Sequence, residues 1–176
     1  MFDGGAASQG SLRPLRLPGS LDCAAMLLTE LFAVEDVLVE FDPADKWQAI
    51  RALVHHLAER GQLPEGREEE VLEAVLDRER SMSTGMENGV AIPHAAIEGL
   101  DEVVACLGIV RRQDGLAFES IDGRPARMIV LLVIPRAHKL LHIRTLADVA
   151  RVLSKEEVRA ELLMAETSAV AHAALD

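Results

Sequence analysis

Among the six histidines of this 176-residue chain, His94 has the setting that best suits a nucleophile. It ends the run Gly85-Met86-Glu87-Asn88-Gly89-Val90-Ala91-Ile92-Pro93-His94, a glycine-punctuated loop followed by a short apolar strand. Gly85, Asn88 and Gly89 tolerate positive φ, so the loop can turn sharply before Val90, Ala91 and Ile92 enter a sheet. Pro93 has no N–H for a ladder and holds its own φ at about −65°, which closes that strand. His94 is therefore expected at a strand end, on a stiff backbone and presented to solvent. Stiffness matters to such a group, because misplacement by about 1 Å can cost roughly 100-fold in rate. An imidazole of ordinary pKa, about 6.5, is largely neutral near pH 7 and keeps one lone pair for attack.

The remaining histidines carry less. His55 and His56 fall mid-helix, where neighbouring side chains point about 100° apart and cannot share a ligand. With His172 they read as surface or boundary residues. His138 and His142 are four apart, a spacing that binds metal when both lie on a helix. Pro135-Arg136-Ala137-His138 reads as the loop before that helix, however, and no third ligand follows, so neither a metal nor a cofactor is expected. Cys23 and Cys106 lie far apart and form no CxxC pair, which suggests neither a zinc ribbon nor a disulfide framework. A reducing cytoplasm fits that usage.

The elements that must hold these groups follow from periodicity. Residues 1–20 contain four glycines, two prolines and three serines with little apolar pattern, the composition of a flexible tail. Residues 21–176 are expected to form one domain, as the length and 49% hydrophobic content allow. A short helix is expected over 24–32 and a strand over 36–41. A helix follows with Asp42 as N-cap and Pro43 in its first position, carrying a stripe of Ile50, Leu53, Val54 and Leu57 and ending before Gly61. A second helix, over 65–80, repeats the stripe with Val71, Leu72, Val75 and Leu76 and leads into the glycine loop. Two β-rich runs, 103–110 and 127–134, are separated by the turn Asp122-Gly123-Arg124-Pro125. Helical periodicity returns from Leu140 with Leu146, Val149, Ala150 and Leu153. Ser154 and Glu157 have capping-box spacing for a helix through Met164, and 168–175 reads as a last short helix. Interleaved strands and helices predict an α/β fold with a mixed β-sheet flanked by helices. No internal repeat is visible.

Charge and composition narrow the partners. A formal net charge of −11 argues against nucleic acid and anionic membranes and favours a basic protein. Aromatic content of 3%, with one tryptophan and no tyrosine, leaves little for base stacking. No apolar run reaches the ~18 residues of a membrane span, and the N-terminus lacks a secretory pattern, so a cytoplasmic protein is expected.

One resemblance is specific. Arg78, Glu79, Ser83, Thr84 and Gly85, followed by the run from Asn88 to His94, closely resemble the phosphorylation-site signature of enzyme IIA domains of the bacterial phosphotransferase system, of the fructose, mannitol and nitrogen-regulatory type. The likeness runs from about Leu27 to the C-terminus. It takes in Asp45 and Lys46, Ala117 and Phe118, Ile121, Asp122, Gly123 and Pro125, and the stretch from His142 and Ile143 to Leu153. Glu87 and Ala95 stand where such domains often have glycine.

The resemblance implies a single-domain α/β sandwich in which His94 accepts a phosphoryl group from the phosphocarrier protein HPr or its nitrogen-branch counterpart. The group would then pass to a cysteine of an enzyme IIB component, or serve as a signal to a regulated protein partner. It also implies roles for Arg78, as a guanidinium fork on the phosphoryl oxygens, for His142, as a hydrogen-bonding or orienting imidazole, and for Thr84 beside Ser83, as a hydroxyl donor. The plainer readings are a helix-end cation, a core histidine and a turn-capping hydroxyl. A binding module of the same fold without turnover is the alternative function. Phosphoryl transfer needs in-line positioning and charge stabilisation more than covalent help, so it demands no metal here.

Overall fold

The eight residues Met128–Pro135 are all buried and form the central strand, as a continuous apolar run covered on both faces must. In this computed structural model residues 27–176 are described. The tail expected over 1–20, Cys23 and the first positions of the helix expected over 24–32 lie outside the described residues. Five strands make one mixed sheet: β1 Val37–Leu38, β2 Val90–Ala91, β3 His94–Ile97, β4 Val104–Ile109 and β5 Met128–Pro135. β4 runs antiparallel to β5 and β1 parallel to β4, while β2 and β3 both run parallel to β5 on its other side.

Alternation along β5 feeds two cores. Ile129, Leu131 and Val133 pack with α2 (Lys46–Glu59) and α3 (Glu68–Ser81). Met128, Val130, Leu132 and Ile134 pack with residues of α1 (Leu28–Leu31), α4 (Lys139–Leu153), α5 (Glu156–Met164) and α6 (Ser168–Ala173). The result is helix, sheet, helix, as the interleaved periodicities imply. The stripe Ile50, Leu53, Val54 and Leu57 is fully buried, and each such side chain contributes about 1.5–3 kcal/mol by leaving water. Among the described residues no helix is long and apolar enough to cross a membrane.

Several boundaries differ from expectation, each for a local reason. Only Val37 and Leu38 of the strand expected over 36–41 pair. Asp36 instead closes a 3-10 turn, and its buried carboxylate accepts from His56 Nε2 at 2.9 Å and Gln62 Nε2 at 2.5 Å. The first long helix begins after Asp45, whose Oδ1 accepts from Gln48 N at 2.8 Å. Asp42 pairs with Arg112 rather than capping, and Pro43 precedes the helix. The next helix starts at Glu68, not 65, because Gly66 sits at φ +72°, outside helical space. Ser154 ends α4, with its hydroxyl donating to the Arg151 carbonyl at 2.7 Å, so it caps no following helix; α5 starts without a side-chain cap.

Candidate functional site

Pro93 interrupts the sheet edge without ending it. β2 stops at Ala91, the Pro93 carbonyl accepts from Leu132 N at 3.0 Å, and the chain resumes as β3 with His94 opposite Leu132. Proline lacks a donor but keeps its acceptor, so the ladder survives on that side. His94 thus opens a strand instead of following a closed one, and it pairs with the fully buried β5.

The His94 ring is locked by its own backbone. Nδ1 lies 2.7 Å from the Ile92 carbonyl oxygen. A carbonyl can only accept, so Nδ1 carries the proton and Nε2 keeps the lone pair. The residue is only 9% exposed, which corrects the expectation of an imidazole standing in solvent. It lines a surface cavity of about 350 Å³ together with Arg78, Ser83, Thr84, Gly85 and Leu146. Burial pushes its pKa below the ordinary histidine value. Arg78 and His142 push the same way, against the Ile92 carbonyl and Glu79. The ring is therefore neutral and nucleophilic near pH 7.

Arg78 and His142 converge on this ring from different elements. Arg78, half-buried in the last turn of α3, lines the cavity and uses one N–H, from Nη1, to hold the Met82 carbonyl at 2.8 Å. Its fork of five N–H groups leaves others for an anion. His142 stands in the first turn of α4, its ring centroid 5.4 Å from that of His94 and its plane edge-on at 75°. Two cationic or hydrogen-bonding groups beside one nucleophile suit an incoming group with spread negative charge.

Thr84 has a different job from the one its position suggested. Its hydroxyl donates to Glu79 Oε2 at 2.6 Å, and its backbone N–H donates to the same oxygen at 2.9 Å. The hydroxyl proton is committed to a carboxylate and is not offered to a ligand. Ser83 Oγ donates to the other oxygen, Glu79 Oε1, at 3.0 Å. Sequence reasoning included Glu79 in the signature but gave it no role, although a signal existed: it continues the Val71, Leu72, Val75, Leu76 stripe three residues past Leu76, where an unpaired carboxylate would face the core. Lys46 completes the cluster, its Nζ 3.2 Å from Glu79 Oε1 and near the rings of Trp47 and Phe118, at 4.8 and 5.7 Å from their centroids.

The glycine loop is built by two devices. Asn88 and Gly89 take positive φ, +65° and +74°, and supply the turn. Gly85 does not; a Cβ there would meet the Glu119 carbonyl oxygen at 2.5 Å, so it is needed for close approach of backbone to backbone. Segment 116–125 closes over the loop as a clasp. Asp122 Oδ2 accepts from Asn88 N at 2.7 Å, and this N–H holds the Asp122 carboxyl below the usual carboxylate range.

The other histidines lie elsewhere. His55 is exposed beside Glu68, His56 serves Asp36, and His172 Nε2 donates to the Phe32 carbonyl at 2.9 Å. His138 is exposed at the N-cap of α4, and neither it nor those three lines the cavity. Among the described residues no group of three or more His, Cys, Asp or Glu is arranged to hold a metal ion. Exposed apolar side chains sit on the elements that frame the cavity: Met82, Met86, Ile121, Leu140 and Ile143.

Comparison with known proteins identifies the family and the fold. The family model for the phosphoenolpyruvate-dependent sugar phosphotransferase system, EIIA 2, matches residues 30–176. The chain is 31% identical over 142 residues to the PTS system fructose-specific EIIABC component of Bacillus subtilis, which covers 81% of this chain but 22% of that longer protein. It is 33% identical over 138 residues to a nitrogen regulatory protein of Bradyrhizobium diazoefficiens, covering 78% of this chain and 86% of the relative. The crystal structure of nitrogen regulatory protein IIA-Ntr from Neisseria meningitidis shares the fold, with a TM-score of 0.76 at 23% identity over 86% of this chain and 100% of that one.

Proposed function

Because this chain belongs to the EIIA 2 family of the phosphoenolpyruvate-dependent sugar phosphotransferase system, we propose that His94 Nε2 is the atom that carries the phosphoryl group. The observation that carries this reading is the 2.7 Å bond from Nδ1 to the Ile92 carbonyl, which leaves Nε2 as the one nucleophilic atom of a ring lining the shared cavity. In the transfer, the Nε2 lone pair attacks phosphorus in line as the P–N bond to the donor's phosphohistidine breaks and its electron pair returns to the donor ring. The proton on Nδ1 stays in place, and the Ile92 carbonyl faces the positive charge that the ring acquires. Arg78 and His142 share the charge on the equatorial oxygens.

The donor that suits this surface is HPr or a nitrogen-branch homologue, a small phosphocarrier whose basic face complements a net charge of −11. The apolar residues around the cavity would meet its apolar ones. The phosphoryl group then moves to a cysteine of an enzyme IIB component, or the phosphorylated state acts on a protein partner. Curated relatives bear both fructose-specific and nitrogen-regulatory names.

Incubation with phosphoenolpyruvate, enzyme I and HPr should place one acid-labile, base-stable phosphate on the protein, and His94→Ala should abolish it. A parent protein that takes up no phosphate from phospho-HPr or from the nitrogen-branch carrier would leave a binding module without turnover as the better reading.

A further inference from the structure

We infer that Glu79 is a positioning residue for the transfer, setting the tautomer and orientation of His94 through a relay of main-chain bonds; this rests on His94 being the acceptor. The relay starts at a carboxylate whose side chain is fully buried. Its four lone-pair sites meet four donors: Thr84 N at 2.9 Å and Thr84 Oγ1 at 2.6 Å on Oε2, Ser83 Oγ at 3.0 Å and Lys46 Nζ at 3.2 Å on Oε1. Gripping one residue by both its amide and its hydroxyl fixes the orientation of Thr84. The Thr84 carbonyl then accepts from Ile92 N at 3.1 Å, and the Ile92 carbonyl accepts the His94 Nδ1 proton.

The Ile92–Pro93 peptide is the weak point that makes such a relay necessary. That peptide has no N–H, so the unit bearing the carbonyl that orients the imidazole cannot be anchored to a neighbouring strand by a donated ladder bond. Its position is set by the bonds on either side, Ile92 N to Thr84 O and Leu132 N to Pro93 O. The second belongs to the rigid core of the sheet. The first hangs on a loop residue, and the buried carboxylate is what holds that residue. Glu79 touches no reacting atom; it acts through Thr84 and Ile92. Lys46 neutralises the buried charge, which explains why a carboxylate can be kept in the apolar stripe of α3.

The test is Glu79→Gln in the full chain. Glutamine keeps the shape, but its amide must now turn two N–H groups toward the Lys46 ammonium and the Ser83 hydroxyl, or toward Thr84, so the four-donor arrangement cannot be retained. Two readouts are made on the folded variant. Nitrogen-15 correlation spectra of the unphosphorylated protein report which ring nitrogen of His94 carries the proton, and single-turnover transfer from phospho-HPr reports rate and half-saturation separately. Expected are an increase of the Nε2–H tautomer and a transfer rate constant about 10- to 100-fold lower, as for a nucleophile displaced by a fraction of an ångström to 1 Å. Half-saturation by phospho-HPr should stay within about twofold, because Glu79 is buried and offers no surface to the donor. If Glu79→Gln does not fold, Thr84→Val, which removes the hydroxyl grip while keeping the branched shape, takes the same two readouts. A melting temperature that drops while tautomer and rate constant stay at parent values overturns the inference and leaves Glu79 a purely structural ion pair. Failure of the parent to accept phosphate would instead remove the functional reading, since the tautomer of the free protein is measured without any transfer.

Discussion

Gly85→Ala tests whether contact between backbones, rather than turn conformation, requires glycine at the head of the site. The added methyl would sit 2.5 Å from Glu119 O, 2.9 Å from Glu119 C and 3.0 Å from Phe118 Cβ. Two of those atoms are backbone, so relief means shifting either the clasp or Thr84, which is adjacent in the chain. Overpacking of this kind costs about 1–3 kcal/mol. Alanine also stiffens the unfolded chain, a gain of about 0.4–1 kcal/mol that offsets part of the cost. A net loss of roughly 1–2 kcal/mol lowers the melting temperature by about 2–8 °C for a chain of this size. The transfer rate should fall by more than that small loss suggests, because the strain is released into the Thr84 step of the relay. Gly61→Ala, just past the end of α2 and away from the cavity, is the control: it meets no atom within 4 Å but sits at φ +66°. It should lose about 1–2 kcal/mol through backbone strain alone, with the rate unchanged. Calorimetric melting and rapid-quench transfer measured on both variants decide the matter. Parent-like melting and rate in Gly85→Ala would show that the close approach imposes no constraint.

Arg78→Ala should slow transfer about 10- to 100-fold, the worth of one charge-assisted hydrogen bond of about 1.5–3 kcal/mol, and Arg78→Lys should fall between, lacking the planar fork; a parent-like rate in the alanine variant removes Arg78 from the site. The acid limb of the pH–rate profile should have its midpoint below about 6.5, because burial, with help from Arg78 and His142, keeps His94 neutral to lower pH. A midpoint at or above that value contradicts the geometry. The same shift links to stability: with the folded pKa below the unfolded one, the contribution is fully present above about pH 6.5 and is lost as pH falls through the folded value, since the unfolded chain binds the proton first. Second-order transfer from a basic phosphocarrier should slow steadily as ionic strength rises, given the charge of −11; rates indifferent to salt would rule out electrostatic steering.

Much of the architecture was legible in the residues. The stripes on α2 and α3, the two apolar strand runs and the return of helical periodicity after Pro135 identify a sheet between helix layers, because burial of a repeating face leaves a repeating pattern. Element ends were less legible. Asp36 alternated like a strand residue but is buried by His56 and Gln62, partners that are 20 and 26 positions away in the chain. Asp42 looked like an N-cap because Asp and Pro in that order favour one, yet Asp45 satisfies the helix and Arg112 takes Asp42.

The local chemistry of residues 85–94 was enough to single out His94 as a stiffly held imidazole, since glycine, asparagine and proline constrain the backbone wherever they stand. Which groups would surround that imidazole was not a local matter. Arg78 and His142 come to it from α3 and α4, on opposite faces of the sheet's two helix layers, and no spacing in a linear chain encodes a 5.4 Å approach between rings 48 positions apart. The burial of the ring, and with it the direction of its pKa, arises only when those layers close. The pairing of the Thr84 hydroxyl with Glu79, five residues back, is local in the chain, but only the packing of α3 buries that carboxylate and so commits the donor to it rather than to a ligand.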